Sequence, residues 1–325
     1  MRILDAAAVD TLLDDRLVLD VIRDLFAGPT GSDQVGYSRI DLQHPNGWIR
    51  SLPAFIVGHD LLGFKVLHRT EGVGMRYTIY VHRLSTGEPI GIVDGLEVTN
   101  IRTGAVSAVA TDLLAPPDVE VAAIVGTGPV ARGQLRALDL VRPASEVRVF
   151  ARTPESRSAF VRDMAGHSAG SLVESASLDE AFDGATLITL ATKATEPVLE
   201  ARHLRAGTHF NSVGPASLDR IEVDPAIFKS FDRVVFDSVA LVLDEAGDAF
   251  QATSFHGFGA GRAEELSDVV SGTVPGRSDA GDITLFKSVG TGAQDLAVAS
   301  RLLALAEDQG VGIEVADVNS IKPSV

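Results

Sequence analysis

The chain has 325 residues, 45% of them hydrophobic, and a mean hydropathy of +0.18, enough to bury two cores rather than one. Its 44 acidic and 28 basic side chains leave a formal net charge of −16 and a pI near 4.8, with no dense Lys/Arg run, which argues against a nucleic-acid or anionic-membrane surface. Cysteine is absent, so disulfides, thiolate metal sites and a cysteine nucleophile are excluded.

The opening MRILDAAAVDTLLDDRLVLDVIRDLF spreads acids through a helical period, which predicts helix and differs from the unbroken apolar core of a signal peptide. No uncharged apolar run of about 18 residues appears, so no membrane span is predicted and a soluble, cytoplasmic protein is expected. Short β-rich segments follow, YSRIDLQ, GWIRSLPAFIV, LGFKVLH, YTIYVHRL and PIGIVDG, separated by turn signals such as TGE and GEP. Lys65 lies inside the apolar segment LGFKVLH. An unpaired ammonium there is costly to bury unless a counter-charge or a substrate meets it; the alternative is a snorkelling side chain. From Thr99, NIRTGAVSAVATDLLA predicts a helix ending at Pro116-Pro117, which marks a domain boundary.

Residues 119–132, VEVAAIVGTGPVAR, carry the most information: a β-branched run stops at a glycine-rich turn that opens a helix. Gly126 lets the chain turn sharply, Gly128 lets backbone approach a pyrophosphate, and Ala131 keeps the helix tight on the strand; Thr127, Pro129 and Val130 complete the loop and first turn. A dinucleotide cofactor is the leading reading. EVRVFART supplies a second strand where such folds place the group that meets the adenosine ribose. The expected acid is missing. Arg152 and Thr153 stand there instead, and a guanidinium suits a 2′-phosphate, so NADP(H) is favoured over NAD(H).

TLITLAT, THFNSVG, RVVFDS and DITLFKSVG continue the strand–helix rhythm of a parallel sheet. The predicted fold class is α/β: a Rossmann doubly wound parallel sheet over residues 117–293, and an α+β substrate-binding and dimerisation domain over 1–116, completed by a C-terminal helix within 294–325. Thr192, Ser212, Val213 and Gly214 end successive strands, where open α/β sheets bind ligands, and Val289 ends the last strand. Lys287 reads as structural. AQDLAVASRLLALAEDQG predicts a strongly amphipathic helix that returns to the first domain. The eight histidines do not cluster at ligand spacing, so no metal is predicted, and His68 reads as a surface side chain.

Together, several separated motifs resemble the ornithine cyclodeaminase/μ-crystallin family nearly end to end: Leu52-Pro53-Ala54, Phe64-Lys65-Val66, TGEPIGIVDG, RTGAVSAVAT, GTGPVARGQLRAL, FNSVG, PGR, and ITLFKSVG with the following QDLA. The resemblance implies an active site in the cleft between a dimerising substrate domain and a Rossmann domain. It implies that Arg102 grips the substrate α-carboxylate, that Lys65 polarises or protonates the substrate nitrogen centre or binds the carboxylate, and that Arg39 is a second carboxylate-binding arginine. A guanidinium near a helix N-terminus suits a bidentate carboxylate grip, with Thr103 as cap; pairing of Arg102 with Asp94 for structure alone is the alternative.

Cyclodeaminases of this family usually carry a GADxPGK-like sequence after the strand that ends near Gly214, its aspartate set beside the substrate amines. Here the sequence reads GPASLDRIEVD, so that position is Ala216, with an acid at Asp219 as in μ-crystallin-like members. Cyclodeamination handles protons at two nitrogens, so the loss disfavours it. The expected activity is hydride transfer between nicotinamide and the C=N carbon of an α-imino acid. The alternatives are ornithine cyclodeamination with recycled NAD+, an alanine-type amino-acid dehydrogenase, and a binding protein of the crystallin type. A small amino or imino acid and a second copy of the chain are the expected partners.

Overall fold

The computed structural model describes residues 1–28, 34–36, 38–214 and 216–316, with only the backbone described for 34–36. Two compact units emerge: Met1–Val21 with Gly28–Thr99 and Thr291–Val325, and Ile22–Ala27 with Asn100–Gly290. The first unit starts with β1 (Arg2–Leu4), α1 (Ala6–Leu12) and most of α2 (Asp15–Ala27). It continues through β2 (Gln34–Gly36), β3 (Ile40–His44), β4 (Gly47–Ile56), β5 (Leu61–Thr70), β6 (Gly74–Arg83) and β7 (Pro89–Asp94) into α3 (Leu96–Leu114). The second unit holds β8 (Val121–Val125), α4 (Pro129–Asp139), β9 (Glu146–Phe150), α5 (Pro154–Met164), β10 (Ser171–Glu174), α6 (Leu178–Phe182), β11 (Leu187–Leu190) and β12 (His209–Ser212). Then come β13 (Arg233–Phe236), α7 (Val239–Glu245), α8 (Gly247–Phe255), β14 (Ala263–Glu265), α9 (Leu266–Val270) and β15 (Thr284–Lys287). The chain closes on the first unit with α10 (Gly292–Gln309) and β16 (Ile313–Glu314).

In the first unit the strands run in the order β16-β1-β7-β6-β5-β4-β2, with β3 also on β4. Every pairing is antiparallel except β1 with β7. Along β5 burial alternates strictly from Leu61 to His68, so Leu61, Gly63, Lys65 and Leu67 share the inner face. Helix α10 packs against β4, β5 and β6. It differs from the expected amphipathic helix: Gly292 to Ala299 are all buried, including Gln294 and Asp295. Small side chains at Gly292, Ala293, Ala297 and Ala299 let neighbours close in around it.

The opening segment also differs from the helical reading. Arg2–Leu4 pair in parallel with Gly91–Val93, because tertiary pairing outweighs the local period. Asp5 then caps α1 by accepting from Ala8 N–H (2.9 Å), and Asp14 accepts from Leu17 N–H (2.9 Å), opening α2.

The second unit carries a wholly parallel sheet in the order β10-β9-β8-β11-β12-β15-β13-β14. From β8 the chain builds outward to β9 and β10, then returns to β11 on the other side, which is the doubly wound pattern; the reversal between β8 and β11 is its switch point. Apolar clusters cover both faces, one around Phe210, Phe228 and Phe236, the other around Leu135, Val149 and Phe160.

The units part at Thr99, inside α3, rather than at the Pro116-Pro117 pair. The cause is packing by the rest of α3. Gly104 lies so near Gly133 of α4 that a Cβ on it would stand 2.2 Å from the Gly133 carbonyl oxygen, and Asn211 Nδ2 donates to Thr111 Oγ1 (2.9 Å). Arg277 also donates to the Leu114 carbonyl (2.8 Å). Among the described residues no helix is long and apolar enough to cross a membrane, and no three His, Asp or Glu gather as a metal site.

Candidate active site

The glycine-rich loop occupies the switch point. Gly126 has φ +109°, and a Cβ there would stand 2.2 Å from the Ala191 carbonyl oxygen, so both the conformation and the space demand glycine. Gly128 is the N-cap of α4 with no side-chain cap, Pro129 occupies the first turn, and a Cβ on Gly128 would meet nothing within 4 Å. The start of the helix is thus open for an anion at Val130 and Ala131. Ala131 is fully buried in the cluster with Ile124 and Val149, and Gly133 makes a separate close approach to Asn100 of α3.

At the end of β9, Arg152 is exposed. The Thr153 hydroxyl caps α5, accepting from Ser156 N–H (3.4 Å). Sequence reasoning missed Arg157, which donates to the Ala151 carbonyl (2.7 Å) and lies over the Phe150 ring (5.9 Å), stiffening the strand end that carries Arg152. The RTPESR spacing was the available signal. This cradle fits a dinucleotide: a glycine turn, an uncapped helix start, and a guanidinium beyond the second strand.

Thr192, Ser212 and Gly214 are gathered by one buried carboxylate, Glu222. Its Oε1 accepts from Thr192 N–H (2.6 Å) and Thr192 Oγ1 (2.7 Å), and its Oε2 from Ser212 Oγ (2.8 Å) and Gly214 N–H (2.9 Å). Burial pushes the Glu222 carboxyl above the usual carboxylate range, opposed by the Lys287 charge and these donors. Lys287, itself buried, donates to Ser212 Oγ (3.0 Å) and pairs with Asp248 (2.9 Å). Val213 is buried, donating to the Leu190 carbonyl (2.9 Å).

Arg102 is also buried, 4% exposed, and lies against the loop after β15: a Cβ on Gly290, whose φ is +74°, would stand 2.5 Å from its Nη1. Asp237 shapes that loop, accepting from Ser288 Oγ (2.7 Å), Val289 N–H (3.2 Å) and Gly290 N–H (2.8 Å). The helix that carries Arg102 opens at Leu96, not at Arg102. Asp94 starts it by accepting from Leu96 N–H (3.2 Å), and Thr103 is an interior residue whose carbonyl accepts from Gln134 Nε2 (3.0 Å). The strand β7 ends at Asp94, so the helix begins at Leu96, about 1.7 turns before Arg102.

In the first unit Lys65 does not snorkel. Its Nζ lies 2.6 Å from Asp295 Oδ2 and 3.3 Å from Thr99 Oγ1, with side-chain exposures of 3% for Lys65 and 0% for Asp295. Asp295 was missed, although an acid near the start of an otherwise apolar C-terminal helix was its signal. Thr99 stands three residues before Arg102 on α3. Arg39 is half-buried just before β3, and with Arg50 it holds the Asp41 carboxyl below the usual carboxylate range. Asp219 belongs to the second unit. It is 65% exposed, bonded to Ser217 Oγ and 3.6 Å from Arg220 Nε, and the Ser217 hydrogen bond above all keeps its carboxyl low.

The chain is 32% identical over 275 residues to a Δ1-pyrroline-2-carboxylate reductase of Bacillus cereus, covering 80% of this chain and 82% of that one. To the ketimine reductase μ-crystallin of Macropus fuliginosus it is 32% identical over 264 residues, 79% and 80% of the two chains. The solved structure of Thermococcus litoralis Δ1-pyrroline-2-carboxylate reductase in complex with NADH and L-proline superposes with a TM-score of 0.91 at 30% identity, covering 97% of this chain and 100% of that one. The family model for ornithine cyclodeaminase/μ-crystallin proteins matches residues 16–309. The chain belongs to the ornithine cyclodeaminase/μ-crystallin family.

Proposed function

We propose that the chain is a nicotinamide-dependent imine reductase, acting on the C=N bond of an α-imino acid of the pyrroline-carboxylate or ketimine type. The observation that carries this choice over cyclodeamination is the loop after β12. Ala216, at the place of the cyclodeaminase aspartate, is 7% exposed and apolar, and Asp219 faces solvent in a local turn. Neither offers a buried carboxylate to a departing amine.

The cofactor supplies the hydride when bound. Gly126, Gly128 and the start of α4 would hold its pyrophosphate, and Thr192 through Gly214 would border the nicotinamide half. Arg102, buried and braced by Gly290, is suited to a bidentate grip on the substrate carboxylate, with Arg39 as a second cation. Lys65, ion-paired with Asp295, would hold the proton that makes the imine an iminium. We assign NADP(H) over NAD(H) on Arg152. We also assign a homodimer: the sheet face opposite α10 carries a half-buried row of Pro53, Phe64, Tyr80 and Ile92 in register, with Phe64 and Tyr80 stacked at 4.8 Å.

The test is NADPH and NADH oxidation with Δ1-pyrroline-2-carboxylate, Δ1-piperideine-2-carboxylate, and pyruvate plus methylamine, beside an ornithine assay for ammonia and proline. Imine-dependent oxidation that falls ~100-fold in Arg102→Ala is expected. Proline and ammonia from ornithine without net cofactor oxidation would overturn the reading.

A further inference from the structure

Two strand ends that a parallel sheet offers to a ligand, those of β11 and β12, are tied by a side chain that belongs to neither. Glu222 meets four donors across the gap: two from Thr192, one from Ser212 and one from Gly214. The fit leaves no room for a side chain at Gly214, where a Cβ would stand 2.6 Å from Glu222 Cδ. Behind it lies a closed circuit. Ser212 Oγ donates to Glu222 and accepts from Lys287; Lys287 pairs with Asp248; Asp248 Oδ2 accepts from the backbone N–H groups of Glu222 and Val223 (3.3 Å each), fixing the segment that presents Glu222. Glu222, Ser212, Lys287 and Asp248 are each at most 4% exposed.

We propose that Glu222 is a positioning residue that holds the Thr192 and Gly214 strand ends in the conformation that receives the nicotinamide half of the cofactor, with Lys287 and Asp248 backing it. The inference rests on the imine reductase reading for the identity of that ligand. It changes the part assigned to Ser212, whose hydroxyl is spent on Glu222 and Lys287 rather than on the cofactor. It also makes Lys287 part of the device. Two carboxylates and one ammonium are buried together, and a protonated Glu222 would present a donor where Thr192 and Gly214 also present donors. Binding that depends on the strap therefore weakens on the acid side, where Lys287 and Asp248 are the charged groups facing Glu222.

Glu222→Gln replaces one acceptor oxygen with an amide that must point its donors at Thr192 or Gly214. NADPH affinity of the purified protein, read by quenching and enhancement of nicotinamide fluorescence from about pH 5.5 to 8, is expected to fall ~10- to 100-fold, the worth of a lost charge-assisted hydrogen bond. The acid-side weakening expected of the parent should vanish in the variant, the cofactor's own titration cancelling between the two. Lys287→Met is expected to weaken binding in the same direction. A Glu222→Gln protein that melts lower yet binds NADPH with unchanged affinity and pH profile would overturn the inference and leave a purely structural carboxylate. Should Glu222→Gln not fold, Ser212→Ala decides: an affinity loss with the acid limb moved to higher pH, as removal of a donor to the carboxylate requires, supports the strap, and unchanged binding and profile overturns it. Absence of NADPH and NADH binding by the parent would instead overturn the reductase reading.

Discussion

Breaking the Lys65–Asp295 pair tests the first unit directly. The charges are 2.6 Å apart and nearly solvent-free. Coulomb attraction at that distance with an effective dielectric of about 20 is roughly 6 kcal/mol, of the same order as the cost of desolvating two ions, so the intact pair adds little net stability. Removing one partner is different, because the survivor must stay charged without this counter-charge or become neutral. Neutralising a lysine at pH 7 costs about 1.36 × (10.4 − 7), or ~4.6 kcal/mol, and an aspartate about 1.36 × (7 − 3.9), or ~4.2 kcal/mol. Asp295→Asn and Lys65→Met are therefore each expected to destabilise by ~3–5 kcal/mol at pH 7. Their pH dependences run in opposite senses. The Asp295→Asn penalty shrinks as pH rises, by ~2.7 kcal/mol between about pH 7 and 9, since a lysine deprived of this carboxylate sheds its proton more easily; the Lys65→Met penalty shrinks as pH falls. The double variant Lys65→Met/Asp295→Leu is expected to recover at least half of the loss. The assay is urea unfolding followed by fluorescence of Trp48, the single tryptophan, which lies on β4 of the same unit. Single-variant penalties below ~1 kcal/mol, or slopes of the same sign, would refute the reasoning.

Three other outcomes follow from the same geometry. Burial, with Arg277 nearby, depresses His209 from 6.5 to about 3, so unfolding takes up a proton below pH 6.5; its contribution is full above that value and is lost as pH falls towards 3. Between neutrality and about pH 5 the loss is ~2 kcal/mol, and a His209→Gln protein should show a flatter urea midpoint over that range; equal slopes would count against it. Gly290→Ala would place a methyl on the Arg102 guanidinium, and the imine KM is expected to rise at least ~10-fold with NADPH affinity within about twofold, as read by steady-state kinetics and fluorescence titration. Arg152→Ala should weaken NADPH by ~10-fold while leaving NADH nearly unchanged; equal losses for both would refute the 2′-phosphate assignment.

Much of this protein was legible from its residues, and what was not has a common cause. Local chemistry announces itself: Gly126 and Gly128 on a strand-to-helix turn, the alternation along β5, and the strand–helix rhythm from Val121 onward depend on neighbours a few residues away. The start of α3 was misplaced because Arg102 stands out chemically, whereas the modest Asp94 cap decides where the helix begins. The parallel pairing of Arg2–Leu4 with Gly91–Val93 and the all-round burial of Gly292–Ala299 depend on distant partners that no period encodes. The same holds at the site. Sequence marked Lys65, Arg102, Thr192 and Ser212 as worth attention, since a cation in an apolar strand or a hydroxyl at a strand end is unusual by itself. Only the tertiary structure decided that Asp295 answers Lys65, that Glu222 absorbs the hydroxyls of Thr192 and Ser212, and that Asp219 is turned to solvent. A buried charge is settled by whichever opposite charge folding brings within about 3 Å, and that partner is chosen by the fold rather than by spacing along the chain.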